Sequence, residues 1–166
     1  MHKVTRVISW VMVGTVGFGL AALLLPRASG AADEKPAQLK SAVVSWDKAP
    51  AARADWGEIR FHFRGETLAT RDVLTAVAVI KPGMAIHNPH RHAEEEYLMI
   101  TEGSGVWHLD GKAFPAEQGD VLFVEPWVYH GLTNTGDKPL TFVVFKYNGK
   151  GIKLPPRPKD GRPDEL

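Results

Sequence analysis

Short apolar runs broken by glycine and proline dominate the chain from Trp56 onward. Ile59, Phe61 and Phe63 alternate with Glu58, Arg60, His62 and Arg64, the twofold period of a half-buried strand. Gly65-Glu66 turns that strand. Residues 73–80 are rich in β-branched side chains and stop at Lys81-Pro82-Gly83. Residues 96–101 and 106–109 flank Gly103-Ser104-Gly105, which reads as a hairpin, and Asp110-Gly111 reads as a second turn. Residues 121–124, 129–133 and 140–147 complete the set, with a turn-rich break over 134–139. Many short strands with no helical pattern between them predict an all-β domain, a sandwich or a barrel.

The N-terminal third has a different texture. Lys3 and Arg6 precede a run over residues 7–25 without a charged side chain, closed by Pro26 and Arg27. Ala28, Ser29, Gly30, Ala31 and Ala32 follow. A basic start, an apolar stretch and a small-residue patch describe a secretory signal peptide. The run is close to the ~20 residues that span a bilayer, so an uncleaved membrane anchor is the alternative. The expected organisation is therefore a signal peptide or anchor over 1–32, a linker and N-terminal arm over 33–55, a barrel over 56–150 and a Pro-rich C-terminal tail over 151–166. Trp46 is the one large apolar anchor of the arm, and Pro155, Pro156, Pro158 and Pro163 stiffen a polar tail without a core of its own. The expected location is periplasmic or extracellular, with membrane contact only if the N-terminal segment stays uncleaved.

Composition narrows the chemistry. At 44% hydrophobic and 23% charged residues in 166, the chain has an ordinary globular make-up. A formal charge of +1 gives no long-range field for gathering nucleic acid, and Lys and Arg are scattered among acidic residues. The sequence holds no cysteine, which excludes disulfides, thiolate nucleophiles and zinc fingers. Any metal site must then use nitrogen and oxygen ligands.

The stretch with candidate chemistry is Pro82-Gly83-Met84-Ala85-Ile86-His87-Asn88-Pro89-His90-Arg91-His92-Ala93-Glu94-Glu95-Glu96. On a strand, residues two apart share a face, so His90 and His92 would present adjacent imidazoles. Three residues allow a tight turn that returns the carboxylate of Glu96 to the same point. His130, on a distant strand after Glu125-Pro126-Trp127, is placed to supply a fourth ligand. His87 has the opposite strand parity to His92, although Pro89 can reset the phase; it is expected beside the ligands or at the rim. Glu94 and Glu95 read as a solvated acidic run, and His62 and His108 as structural. Gly103, Gly119 and Asn134 read as turn residues.

These residues resemble the two motifs of the cupin superfamily. Gly83, His90, His92, Glu96 and Gly103 are similar to its first motif, a glycine followed by His-x-His, three residues, a glutamate, six residues and a glycine. Gly119-Asp120 through Pro126, His130 and Asn134 resemble the second. The 15 residues between Gly103 and Gly119 match the short spacing of small bacterial cupins. The likeness covers about residues 70–147. Two features depart from it: six residues rather than five separate Gly83 from His90 and Gly119 from Pro126, and Val128 stands where the family usually has glycine. The resemblance implies a double-stranded β-helix, the cupin jelly-roll barrel, often a homodimer, with a metal inside held by His90, His92, Glu96 and His130.

Three imidazoles and a carboxylate suit one divalent transition metal ion: Fe, Mn, Ni, Co or Zn. By strand alternation Trp107 and Leu109 share a face directed at the interior, and Trp127 sits where it can close the mouth. Phe123 and Phe142 join them as expected pocket-lining residues. No nucleophile elbow, phosphate loop or dinucleotide fingerprint is present. Three functions fit: a metal-dependent enzyme, dioxygenase- or isomerase-like, acting on a small polar molecule; a non-catalytic module that binds a small ligand such as a sugar or organic acid; and a metal-free barrel whose histidines only hydrogen-bond. The full ligand quartet speaks against the third.

Overall fold

The computed structural model describes residues 38–166; the expected signal segment lies outside the described residues. The described residues form β1 (Ala51–Ala54), β2 (Gly57–Gly65), β3 (Thr70–Ile80), β4 (Glu95–Glu102), β5 (Ser104–Leu109), β6 (Lys112–Glu117), β7 (Val121–Val124), β8 (His130–Thr133) and β9 (Leu140–Gly149). Six of them make one antiparallel sheet in the order β1-β2-β3-β9-β4-β7, and three make another in the order β6-β5-β8. The fold is an all-β jelly-roll sandwich. Among the described residues no helix is long and apolar enough to cross a membrane.

Alternation explains which faces meet. Along β9, Leu140, Phe142 and Val144 are buried while Thr141 and Val143 are only partly so. They pack with Ala76, Ala78 and Ile80 of β3 and with Leu98 and Ile100 of β4. Trp107 of β5, Ala116 of β6 and Leu132 of β8 close the core from the smaller sheet. Ile80, Ile100 and Leu140 are fully buried, each stabilising the sandwich by about 1.5–3 kcal/mol.

One expected turn holds and one becomes something else. Asp110 and Gly111 join β5 to β6 with φ values of +46° and +76°, the left-handed pair that a two-residue hairpin needs. Gly103, by contrast, does not make a hairpin. β4 pairs with β9 and β7, whereas β5 pairs with β6 and β8, so the chain at Gly103 crosses between sheets. The crossing runs close against the β8–β9 connection: a Cβ on Gly103, whose φ is +82°, would stand 2.6 Å from the carbonyl oxygen of Pro139. Only glycine combines that φ with that approach.

Two strands lie outside the apolar pattern. β1 falls inside the expected arm, pairing with β2 from Ala51 opposite Arg60 to Ala54 opposite Gly57. β6 carries Pro115 on a sheet edge, where a missing N–H is tolerated.

Candidate metal centre

The four expected ligands arrive by two different routes. Glu96 stands near the start of β4 and His130 opens β8, both buried and both facing inward. His90 and His92 lie between β3 and β4, outside any strand. The expectation of a strand-borne His-x-His pair is therefore corrected: Pro89, which has no N–H for a ladder, and the turn-forming residues around it break regular pairing. What remains are isolated bridges, from Ala85 to Thr133 and from His90 to both His130 and Glu165. The amide of His90 donates to the carbonyl of His130 at 2.9 Å, and the amide of His130 donates back at 2.8 Å.

Side chains converge from there. One ring nitrogen from each of His90, His92 and His130 lies within 4.8 Å of the others. Glu96 Oε2 is 3.2 Å from His92 Nε2, and its Oε1 is 3.4 Å from His130 Nε2. The ring tautomers follow from the outer contacts. His92 Nδ1 donates to the Glu94 carbonyl at 3.1 Å, with the Glu94 carboxylate 3.3 Å away, and His130 Nδ1 donates to the Val128 carbonyl at 2.9 Å. Each neutral ring then carries its lone pair on Nε2, aimed at the centre.

Those inward nitrogens are orphans. His92 Nε2, His130 Nε2 and His90 Nδ1 are buried without a hydrogen-bond partner among the described residues. The approaches to Glu96 are close but misaligned for hydrogen bonds. Three unsatisfied buried ring nitrogens beside a carboxylate are costly unless something positive sits between them, and a divalent cation fits that requirement.

Electrostatics agrees with the geometry. Burial, then the imidazoles of His87, His130 and His92, lowers the His90 pKa to about 3, so the ring stays neutral and free to ligate. Burial pushes the Glu96 carboxyl up, but the adjacent His130 and His92 outweigh it and hold the group at about 2. The centre thus presents a neutral imidazole at His90 and a carboxylate at Glu96, the protonation states a metal requires of them.

His87 is exposed, its ring edge-on to His90 with centroids 4.1 Å apart and its Nδ1 donating to the Asn88 carbonyl at 2.8 Å. It stands outside the imidazole trio, at the mouth of an adjoining cavity of about 300 Å³. That cavity is walled by Ile59 and Phe61 of β2, Leu74 and Ile80 of β3, Ile86, Leu98, Leu132, Phe142, Val144 and Lys146, together with His90, Glu96 and His130.

Of the five expected pocket residues, Phe142 lines the cavity; Trp107, Leu109, Phe123 and Trp127 do not. Trp107 is spent on packing between the sheets, and Leu109 is on the same small-sheet strand. Phe123 lies on the outer face of the larger sheet against Tyr97, ring centroids 4.8 Å apart. Trp127 ties down backbone instead: its amide donates to the His92 carbonyl at 2.7 Å and its indole N–H to the Pro155 carbonyl at 2.8 Å. These bonds hold Trp127 at a φ of +66°, a conformation that costs a non-glycine residue about 1–3 kcal/mol. The turn before His130 is left-handed at Trp127, one position before Val128.

Sequence reasoning missed Arg91. Its side chain is buried and makes two hydrogen bonds to Asp160 (2.8 and 3.0 Å), one to Asp164 (3.3 Å) and one to the Arg162 carbonyl (2.8 Å). Its guanidinium also lies 4.8 Å above the Tyr129 ring, whose hydroxyl donates to the Pro163 carbonyl. The Arg91 amide bonds the Asp164 carbonyl at 2.8 Å, and the Leu166 amide bonds the Pro89 carbonyl at 2.9 Å. The C-terminal tail is thereby strapped over the segment that carries His90 and His92. The one signal was an arginine between two ligands and aspartates in a tail some seventy residues later; no local pattern links them.

His62 and His108 take structural bonds, to the Arg60 carbonyl at 3.2 Å and the Thr133 hydroxyl at 3.0 Å. Asn134 is fully buried, donating to the Ile80 and Lys138 carbonyls at 2.8 Å each and accepting from the Gly136 amide.

Comparison with known proteins follows the same lines. A family model described as a cupin domain matches residues 76–146. Protein SchB of Streptomyces halstedii is 30% identical over 122 residues, covering 74% of this chain and 85% of that protein. A gentisate 1,2-dioxygenase of a Streptomyces species is 32% identical over 82 residues, 49% of this chain but only 23% of the relative's length. Among solved structures, a predicted oxalate decarboxylase of Thermotoga maritima superimposes with a TM-score of 0.53 at 26% identity, covering 64% of this chain and 99% of that one.

Proposed function

This chain belongs to the cupin superfamily, and from that premise we propose that it is an exported metal-dependent enzyme, dioxygenase- or isomerase-like, acting on a small molecule. The observation that carries the reading is the set of orphaned inward nitrogens on His90, His92 and His130 around Glu96. His90, His92, Glu96 and His130 would hold one divalent ion, Fe, Mn, Ni, Co or Zn by the chemistry of the donor set. When bound, such an ion supplies Lewis acidity toward a substrate oxygen and, as iron, redox chemistry with dioxygen.

The remaining chemistry belongs to the chain's own side chains. The apolar walls from β2, β3 and β9 make the space beside His90, Glu96 and His130 a poor environment for water. Glu94 and Val128 fix the ring tautomers of His92 and His130 through their carbonyls. His87, with its Nδ1 proton donated to Asn88, carries a lone pair on Nε2 at the cavity mouth, available to accept or return a substrate proton. The likeness to a gentisate dioxygenase favours oxygen chemistry over isomerisation, although it spans a small part of that enzyme.

Export belongs to the same proposal. Residues 1–32 read as a signal peptide or anchor, which would put the domain in the periplasm or outside the cell. We further propose a closed double-stranded β-helix in a homodimer. Tyr97, Met99, Val121, Phe123 and Phe145 are exposed on the outer face of β4, β7 and β9, an apolar surface of the kind a partner copy covers.

The test is metal analysis of protein purified from its native compartment, followed by oxygen-electrode assays of the iron-loaded form. One transition ion per chain and oxygen uptake that depends on added substrate are expected. An ion per chain with no turnover on any substrate would shift the reading to a binding module; no bound ion would overturn it.

A further inference from the structure

Lys146 is the unexpected member of the cavity wall. It follows Phe142 and Val144 by strand alternation on the inner face of β9, and all three line the cavity. Its neighbours across the ladder are Glu96 on β4 and Leu74 on β3. Glu96 is committed to His92 and His130, at 3.2 and 3.4 Å. Among the described residues no hydrogen bond or ion pair engages the Lys146 ammonium. A half-buried cation on an otherwise greasy wall, with the carboxylate opposite it in the ladder directed at two imidazoles, lacks a counter-charge.

The charge balance of the cavity points one way. Glu96 is the one acidic residue lining it, and a divalent ion bound there would leave net positive charge even before Lys146 is counted. Two positive centres facing one apolar space of about 300 Å³ favour a ligand with negative charge and an apolar body. A heavily hydrated multiply charged anion fits poorly, because Ile59, Phe61 and Leu74 offer it nothing in exchange for water.

We propose that this cavity takes a small monocarboxylate with an apolar body, and that Lys146 selects it over uncharged analogues. The inference rests on the metal-site reading above and adds the class of ligand. Lys146 acts as a specificity residue; it is no ligand to the ion.

The experiment is calorimetric titration of the zinc-loaded full-length protein with benzoate, 2-methylpropanoate and the neutral isostere benzamide. Benzoate should bind at least about tenfold more tightly than benzamide. Lys146→Met should weaken benzoate binding by about tenfold, leaving benzamide and bound zinc unchanged, whereas Lys146→Arg should keep the preference. Should Lys146→Met fold poorly, Lys146→Gln makes the same comparison with a polar side chain. Equal affinity for benzoate and benzamide, an undiminished preference in Lys146→Met or Lys146→Gln, or no binding of either carboxylate at millimolar concentration would overturn the proposal while the metal site stands. Failure of the parent protein to retain zinc would instead bring down the metal reading and this one with it.

Discussion

The two halves of the candidate metal centre are held by different physics. Glu96 and His130 sit on β4 and β8, in registers shared with β7, β9 and β5, so their positions are enforced by ladders that the whole sandwich stabilises. His90 and His92 sit on a strandless segment held by one bridge to His130, by Trp127 and by the tail clasped around Arg91. The strand-borne half comes with the fold. The loop-borne half depends on contacts that can be removed while the sandwich stays folded, and that difference can be probed.

Removing a ligand from either half should have the largest effect on metal binding. His130→Ala and His92→Ala should each weaken cobalt affinity by about a thousandfold or more, since the loss of a donor exceeds the ~10–100-fold effect of losing a supporting contact. The comparison sharpens in stability: His130→Ala opens a void in the core and should lower the melting temperature, whereas His92→Ala, partly exposed on the loop, should leave it nearly unchanged. Equal melting losses would contradict the distinction. Parental metal content in His92→Ala would refute its role as a ligand.

Next in size is the clasp. Arg91→Met leaves Asp160 without its principal partner; that guanidinium, with Arg162, holds the Asp160 carboxyl well below its usual range. The tail should then release, with cobalt affinity falling by about 10–100-fold while the strand-borne ligands stay in place. Limited proteolysis should show the tail cut first in the variant and protected in the parent. Protection of the Arg91→Met tail would show that the other tail bonds suffice.

Acid should act on both halves together. An unfolded chain takes up a proton at His90 near pH 6.5, but the folded protein does so only near 3. The unfolded state therefore binds more protons between those values, and stability is lost as pH falls through them. Glu96 adds to the loss between 4.5 and about 2, because its carboxyl is also protonated first in the unfolded chain. Thermal melts of metal-free protein should show a lower midpoint at about pH 5 than at about pH 7.5, and a flat profile would contradict the placement of His90.

The smallest effect on metal is expected in the core between the two sheets. Trp107→Ala should cost about 3–5 kcal/mol of stability through the cavity it leaves, yet retain the parental metal affinity. Loss of metal in a folded Trp107→Ala protein would show that the core supports the site more directly than the contacts indicate.

What could be read from the chain follows the same division. Strands β2, β3, β4, β5, β7, β8 and β9 were visible as short apolar or β-branched runs between turn residues, with twofold alternation marking β2. His90, His92, Glu96 and His130 could be picked out because they keep the spacing of the cupin motifs, and the fold brings their side chains together. β1 went unseen because all four of its residues are exposed and carry no alternation. β6 went unseen because Pro115 interrupts it and Ala116 alone is buried. The strandless path of His90 and His92, the sheet crossing at Gly103 and the clasp on Arg91 depend on contacts between distant segments. The cavity was misread because aromatic size suggested Trp107 and Phe123, whereas pairing of β2, β3 and β9 brings Phe61, Leu74 and Lys146 to the wall instead.

X-ray absorption on cobalt-loaded protein tests the central claim most directly, because it reports the donors around the ion itself. The account predicts one ion per chain with three imidazole nitrogens and a carboxylate oxygen in its nearest shell. A shell of oxygens alone, or fewer imidazoles than His90, His92 and His130 supply, would contradict it.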